Sequence, residues 1–240
     1  MANPQNKQET FSSTSASQQT GVMDAGLRIY MSKVYNYMAI GLLLTAFTAY
    51  AAAASGFYQS IAQTPLVYVV MFAPLGMVLW LSVRLNRMSA ARAQTMFWLF
   101  AAMMGLSLSY VFLVYTGASV VQTFLVTSAS FGALSLYGYT TKRDLSAMGS
   151  FMFMGLIGII IASIVNLFMQ SSALHFAISA IGVLIFAGLT AYDTQHIKRI
   201  YYSGDTRELA EKKAIMGALR LYLDFINMFI FLLQFMGNRN

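Results

Sequence analysis

Two aspartates are the residues of this chain best placed to do chemistry. Asp193 follows directly on the apolar run 182–192, and Asp224 lies inside the apolar run 221–229. The other six of the eight acidic residues lie in tails or polar connections. A carboxylate at the centre of a membrane-spanning helix costs roughly 2.5–3.5 kcal/mol, so such a residue is by default a candidate functional group. The plainer interpretation is that each aspartate only hydrogen-bonds a neighbouring helix.

The chemistry open to this pair is proton binding and cation binding. If the last two spans are neighbours, both carboxylates can lie at similar depth near one membrane surface. They cannot easily both ionise there, so the pair would act as a proton switch near physiological pH. When ionised, the pair would attract a hard cation such as Ca²⁺, which takes about six to eight oxygen ligands. Asn227 and Thr194 could supply further ligands, and His196 could bias the titration, although a solvent-facing histidine is its plainer interpretation. A weak, partly hydrated site of this kind suits conduction better than storage.

The composition predicts an all-α integral membrane protein. Of the 240 residues, 58% are hydrophobic and 10% are charged, whereas a soluble domain is nearer to about 45–50% apolar and a quarter charged. A spanning helix needs about 20 residues. Residues 24–240 therefore read as one domain of seven transmembrane helices, and the polar segment 1–23 reads as a disordered tail. The seven predicted spans are 35–54, 66–83, 95–115, 120–139, 149–169, 173–192 and 215–236.

The basic residues predict the orientation in the membrane. All of the 15 Lys and Arg residues except Arg239 lie on the side of the N-terminus. Because such residues collect in cytoplasmic loops, we expect a cytoplasmic N-terminus and a C-terminus on the far side. The net charge of +7 therefore fits an anionic leaflet and does not indicate a nucleic acid partner. Cysteine is absent, which excludes disulfides and thiol chemistry, and two histidines are too few for a zinc site.

Four stretches of the chain resemble the Bax inhibitor-1 family of membrane proteins, above all its bacterial inner-membrane members. They are GLTAYDTQ at 188–195, LYLDFIN at 221–227, YGYTTKRDLS at 137–146 and KVYNYMA at 33–39. The likeness covers about residues 24–238. It implies a seven-helix fold with the last helix central, and a multi-pass protein of the bacterial inner membrane. It also implies a pH-sensitive calcium leak, with Asp193 and Asp224 as the sensor, and no cofactor beyond transient Ca²⁺.

The same resemblance implies a basic latch that holds the aspartates when the leak is closed. Family members place this residue at the cytoplasmic end of the second span, where Arg84 and Arg87 are both candidates here. Some relatives also carry an acid within that span. This chain has none between Asp24 and Asp144, so a third carboxylate is missing and the affinity for ions is expected to differ.

Two other classes of function compete with an ion leak. An intramembrane aspartyl protease also places one aspartate in each of two late spans. Those enzymes carry a Gly-x-Gly-Asp motif and a late proline, whereas here LYL precedes Asp224 and all three prolines fall at or before Pro74. We therefore expect no enzyme. The stronger alternative is a regulatory protein that binds another membrane protein, such as a quality-control protease. The expected partners are the lipid bilayer, calcium or other cations and, in this alternative, a second membrane protein.

Overall fold

The computed structural model describes residues 5–240, with side chains from Ala25 onward except that of Asn86. The predicted tail, 1–23, lies outside the residues described with their side chains and stays a prediction. A 3₁₀ turn at Leu85–Arg87 follows the third helix. The helices, in chain order, are α1 (Gln5–Ala54), α2 (Phe57–Ile61), α3 (Leu66–Arg84), α4 (Ala90–Leu108), α5 (Val111–Val114), α6 (Gly117–Thr140), α7 (Ser146–Met169), α8 (Ser172–Arg199) and α9 (Arg207–Met236).

Seven helical segments in the described part of the chain are long and apolar enough to cross a membrane, which confirms the predicted all-α membrane architecture. They are Ala25–Ala54, Leu66–Arg84, Ala90–Val114, Gly117–Thr140, Ser146–Met169, Ser172–Arg199 and Arg207–Met236. Helices α3 and α7 are the least buried of them. Large apolar side chains such as Leu79, Phe151 and Phe168 are exposed along these two helices, as expected of surfaces that face lipid.

The last helix, α9, is the centre of the bundle. It packs against α8, α1, α6 and α4, while α7 packs on α8 and α3 packs on α4. Tyr222 of α9 is fully buried, and its hydroxyl lies 2.6 Å from the hydroxyl of Thr45 on α1. Phe97 and Phe100 of α4 meet the Tyr222 ring edge-on. Aromatic packing and a satisfied hydroxyl thus join α1 and α4 to α9.

Close helix crossings depend on two glycines. A Cβ placed on Gly105 of α4 would lie 1.8 Å from the Thr48 hydroxyl oxygen of α1, and one on Gly138 of α6 would lie 2.2 Å from the carbonyl oxygen of Ala191 on α8. Small residues allow such approaches between helices in lipid. The four-residue spacing of Ala101, Gly105 and Ser109 already indicates this kind of packing for α4, and all three residues are buried.

Helices α8 and α9 extend further into the basic side of the molecule than hydropathy predicts. Here "basic side" means the membrane face that carries the N-terminus and the connections before α4, α7 and α9. The predicted sixth span stops at residue 192, but α8 continues to Arg199. Its polar Gln195 is buried because its side chain accepts from the Leu145 N–H and donates to the Arg143 carbonyl. At the start of α9, the Thr206 hydroxyl accepts a hydrogen bond from the Leu209 N–H and so caps the helix.

Candidate functional site

Asp193 and Asp224 line one cavity of about 1030 Å³. Its walls come from α3, α7, α8 and α9, with Leu75, Phe153 and Phe231 among the apolar side chains. Asp193 lies nearly two turns before the end of α8, because that helix continues to Arg199. It is therefore further inside the bundle than its sequence position at the end of an apolar run predicts.

The two carboxyl groups are buried and face one another's charge. Asp193 is 9% exposed and Asp224 is 4% exposed. They line the same cavity and are close enough for each carboxylate to feel the charge of the other. Among the described residues, no hydrogen-bond donor reaches Oδ2 of Asp224, which is itself buried. A buried carboxylate oxygen without a partner is costly, so this oxygen is suited to hold either a proton or a cation.

Arg220 is the cation that faces the aspartates. Its Nη1 lies 3.3 Å from Oδ1 of Asp193, and its side chain is 46% exposed. Arg220 precedes Asp224 by four residues, so both side chains lie on the same face of α9. One guanidinium can balance one carboxylate. With both acids ionised the site keeps one net negative charge, and with one proton shared between them it is neutral.

The residues predicted as a latch lie elsewhere. Arg84 and Arg87 are exposed, at the end of α3 and in the 3₁₀ turn, and neither forms an ion pair with an acid in the part of the chain described with side chains. In the sequence, Arg220 is only one of the basic residues on the side of the N-terminus that predict the orientation. Its four-residue spacing from Asp224 is the signal that indicates it, because that spacing places a positive charge beside a buried acid.

The predicted supporting residues divide between the cavity and other places. Asn227 lines the cavity and donates its side-chain N–H to the Leu223 carbonyl, which leaves its own oxygen available. Thr194 is buried on another face of α8, where its hydroxyl lies 3.0 Å from that of Ser135, and it does not line the cavity. His196 stacks on the ring of Tyr192 and is close enough to Asp193 and Arg220 to feel their charges.

The site can bind a cation only with help from water or carbonyl groups. Within the described residues, no three His, Asp or Glu side chains come together as a metal centre. The cavity offers two carboxylates and the Asn227 oxygen, fewer than the oxygens that Ca²⁺ prefers. Such an incomplete set of ligands matches weak binding rather than a structural metal site.

Fold and site together define a polytopic helical membrane protein whose central helix carries a buried acid into an internal cavity. Comparison with known proteins assigns the family. Residues 27–240 match the family model described as "Inhibitor of apoptosis-promoting Bax1", and the chain belongs to this Bax inhibitor-1 family. The predicted resemblance is thereby confirmed.

Several bacterial proteins align with nearly the whole chain. Protein RP147 of Rickettsia prowazekii is 52% identical over 217 residues, which are 90% of this chain and 92% of the relative. Inner membrane protein YbhL of Escherichia coli is 50% identical over 219 residues, 90% and 94% of the two chains. A membrane protein of Streptococcus pyogenes is 35% identical over 220 residues, 90% and 96% of the two chains. The chain is thus similar over about nine-tenths of its length to bacterial proteins that include an inner membrane protein.

Proposed function

We propose that this protein is a pH-sensitive cation leak, with Ca²⁺ as the expected ion, and that Asp193 and Asp224 form its sensor and ion site. The observation that carries the proposal is the meeting of both buried carboxyl groups with Arg220 in one cavity between the last two spans. We place the protein in the bacterial inner membrane, with the basic side in the cytoplasm and the C-terminus in the periplasm, because Lys and Arg collect in cytoplasmic loops.

The ion pair supports a specific gate. Arg220 of α9 holds Asp193 of α8, so the pair joins the two helices that wall the cavity. Protonation of Asp193 would remove the charge that Arg220 binds and would weaken this link. Arg220 could then move away, and the Asp224 carboxylate would face a passing cation. The leak is therefore expected to rise as the pH falls.

Asp224 has a different part in this scheme. It is the more deeply buried of the two acids and lies on the central helix, next to Asn227 on the same face. When Asp193 carries the proton, Asp224 would be the ionised acid, and its partnerless Oδ2 would meet the cation in the open form. A neutral residue at this position should therefore reduce flux and also weaken its dependence on pH.

Calcium flux into liposomes tests the proposal. Purified protein would be reconstituted into liposomes that contain a calcium dye. Calcium flux would be followed from about pH 6 to 8, the range in which a shared proton is expected to exchange. The wild-type flux should rise toward acid pH. Asp193→Asn should give a raised flux that no longer varies with pH, and Asp224→Asn should give a low, flat one.

A matched control is Glu208→Gln, which removes an exposed acid at the start of α9 and should leave the profile unchanged. The wild-type pH profile persisting in both asparagine variants would refute the sensor. Liposomes that leak no faster than protein-free ones would instead favour a regulatory protein that acts on another membrane protein. Cleavage of a spanning peptide would favour the protease.

A further inference from the structure

A groove runs along the outside of the bundle between α1 and α6, away from the aspartates. It consists of two adjoining cavities of about 620 and 320 Å³. Both are lined by Leu42 of α1, Phe124 of α6 and Phe225 of α9. The central helix thus forms the floor, and the two outer helices form the walls.

The groove changes from polar to apolar along its length. At the basic side its lining includes Arg28, Ser32, Tyr35 and Tyr139. Further in, apart from Thr45, the lining is apolar or aromatic. The Thr45 hydroxyl is already used, since it donates to the Ala101 carbonyl and meets Tyr222. An amphiphile that lies parallel to the helices has the same order, because its charged group is at one end and its hydrocarbon chain follows.

The length and charge of the groove match a phospholipid of the basic-side leaflet. Along α1 the larger cavity extends from Arg28 to Leu42, a rise of about 21 Å, which is close to half of the roughly 40–45 Å bilayer with its headgroup regions. The smaller cavity continues the groove to Ala49. At the mouth, Arg28 is exposed. Lys198 lies 5.0 Å from the centre of the Tyr139 ring that lines the same end. Lys198 already donates to the Tyr139 carbonyl, so Arg28 is the positive charge at headgroup depth that favours an anionic headgroup.

We propose that this groove binds one anionic phospholipid, with its phosphate at Arg28 and an acyl chain along Phe131, Phe124 and Phe225. The site is separate from the aspartate cavity and does not depend on whether the protein conducts ions. A second copy of the chain is the other conceivable occupant. The polar-to-apolar gradient favours a lipid, because a spanning helix would present apolar residues along the whole groove.

Gly132 provides a variant that tests the groove without disturbing the bundle. It lines the larger cavity, and a Cβ built on it meets nothing within 4 Å. Gly132→Phe would place a ring in the groove. Gly158 of α7 is a matched control, since it is equally open and lines none of the described cavities.

Native mass spectrometry of the full delipidated chain would measure retention of dioleoyl phosphatidylglycerol and dioleoyl phosphatidylcholine, which share the same acyl chains. The wild type should retain one phosphatidylglycerol about five-fold more strongly than phosphatidylcholine, the preference expected from one basic residue at the surface. Arg28→Gln should abolish that preference. Gly132→Phe should lose both lipids, and Gly158→Phe should behave as the wild type.

Equal retention of the two lipids by the wild type would overturn the proposal, as would unchanged phosphatidylglycerol binding by Gly132→Phe. A dimer that dissociates in Gly132→Phe would assign the groove to a second copy of the chain instead. If Gly132→Phe fails to give a folded monomeric peak on gel filtration, the smaller Gly132→Leu provides the same comparison.

Discussion

Arg220 on α9 and Asp193 on α8 form an ion pair of 3.3 Å that joins the last two spans beside a buried second acid. In this structure the counter-charge of Asp193 therefore comes from the central helix. Because Arg220 shares a helix face with Asp224, any movement of α9 displaces both groups together. This relationship leads to the predictions that follow.

Removing the guanidinium should open the leak. Arg220→Gln leaves Asp193 without its partner and the α8–α9 link without its charge. Partly exposed ion pairs contribute about 0.2–1 kcal/mol, so we expect calcium flux at about pH 8 to rise by a factor of about two to five. The measurement is dye-monitored flux into liposomes at equal protein content.

Arg84→Gln and Arg87→Gln are the matched controls for that measurement, because each removes an exposed arginine from the end of the second span. Both should keep the wild-type flux. The reverse pattern, a raised leak in either control and none in Arg220→Gln, would assign the latch to the second span, as the family resemblance implies.

The packing of α6 on α8 should depend on Gly138. In Gly138→Ala the new methyl group would meet the Ala191 backbone, and forced overpacking of this kind costs about 1–3 kcal/mol. We expect a lower thermal unfolding midpoint in detergent. Gly132→Ala, on the same helix but with open space around it, should match or exceed the wild type, since alanine favours a helix. Equal midpoints for the two variants would contradict the close approach.

Much of the architecture is predictable from the sequence, because the hydrocarbon thickness fixes the length of a spanning helix and apolar runs reveal it. The ends of α8 and α9 are not predictable in this way. Gln195 looks like a loop residue, yet it is buried because the connection before α7 satisfies its amide. A hydropathy value depends only on the side chain itself and contains no information about the hydrogen-bond partners that the fold brings to it.

The residues of the site also differ in how far the sequence predicts them. Asp193 and Asp224 are evident because a carboxylate in an apolar run is costly, and the structure brings them together. The direction of Thr194 is not evident, since adjacent residues on a helix point to different faces, and Thr194 turns toward Ser135. Arg220 is overlooked because a basic residue near a membrane surface already has a topological explanation.

The start of α7 should respond to acid. Asp144 accepts hydrogen bonds from the Ser146 hydroxyl and backbone N–H and pairs with Arg199, and these contacts lower its pKa from 3.8 to about 2. Because the pKa is lowered in the folded protein, the stabilisation is fully present above about pH 4 and is lost as the pH falls through about 2.

The thermal midpoints of the wild type and Asp144→Ala should therefore differ by a constant amount from about pH 7 to 5, with the wild type higher. The two midpoints should converge as the pH falls from about 4 to about 2. Melting curves in detergent across this range are the measurement. Identical midpoints at neutral pH would show that the exposed Asp144–Arg199 pair and its cap contribute nothing to stability.

A double-mutant cycle on calcium flux tests the gate most directly, since it isolates the coupling between two residues. Flux at about pH 8 would be compared in the wild type, Arg220→Gln, Asp193→Asn and the double variant. If the ion pair holds the leak closed, each single variant raises the flux and the double variant raises it no further. Effects that multiply in the double variant would show that the two residues act independently, and the gate proposed here would be wrong.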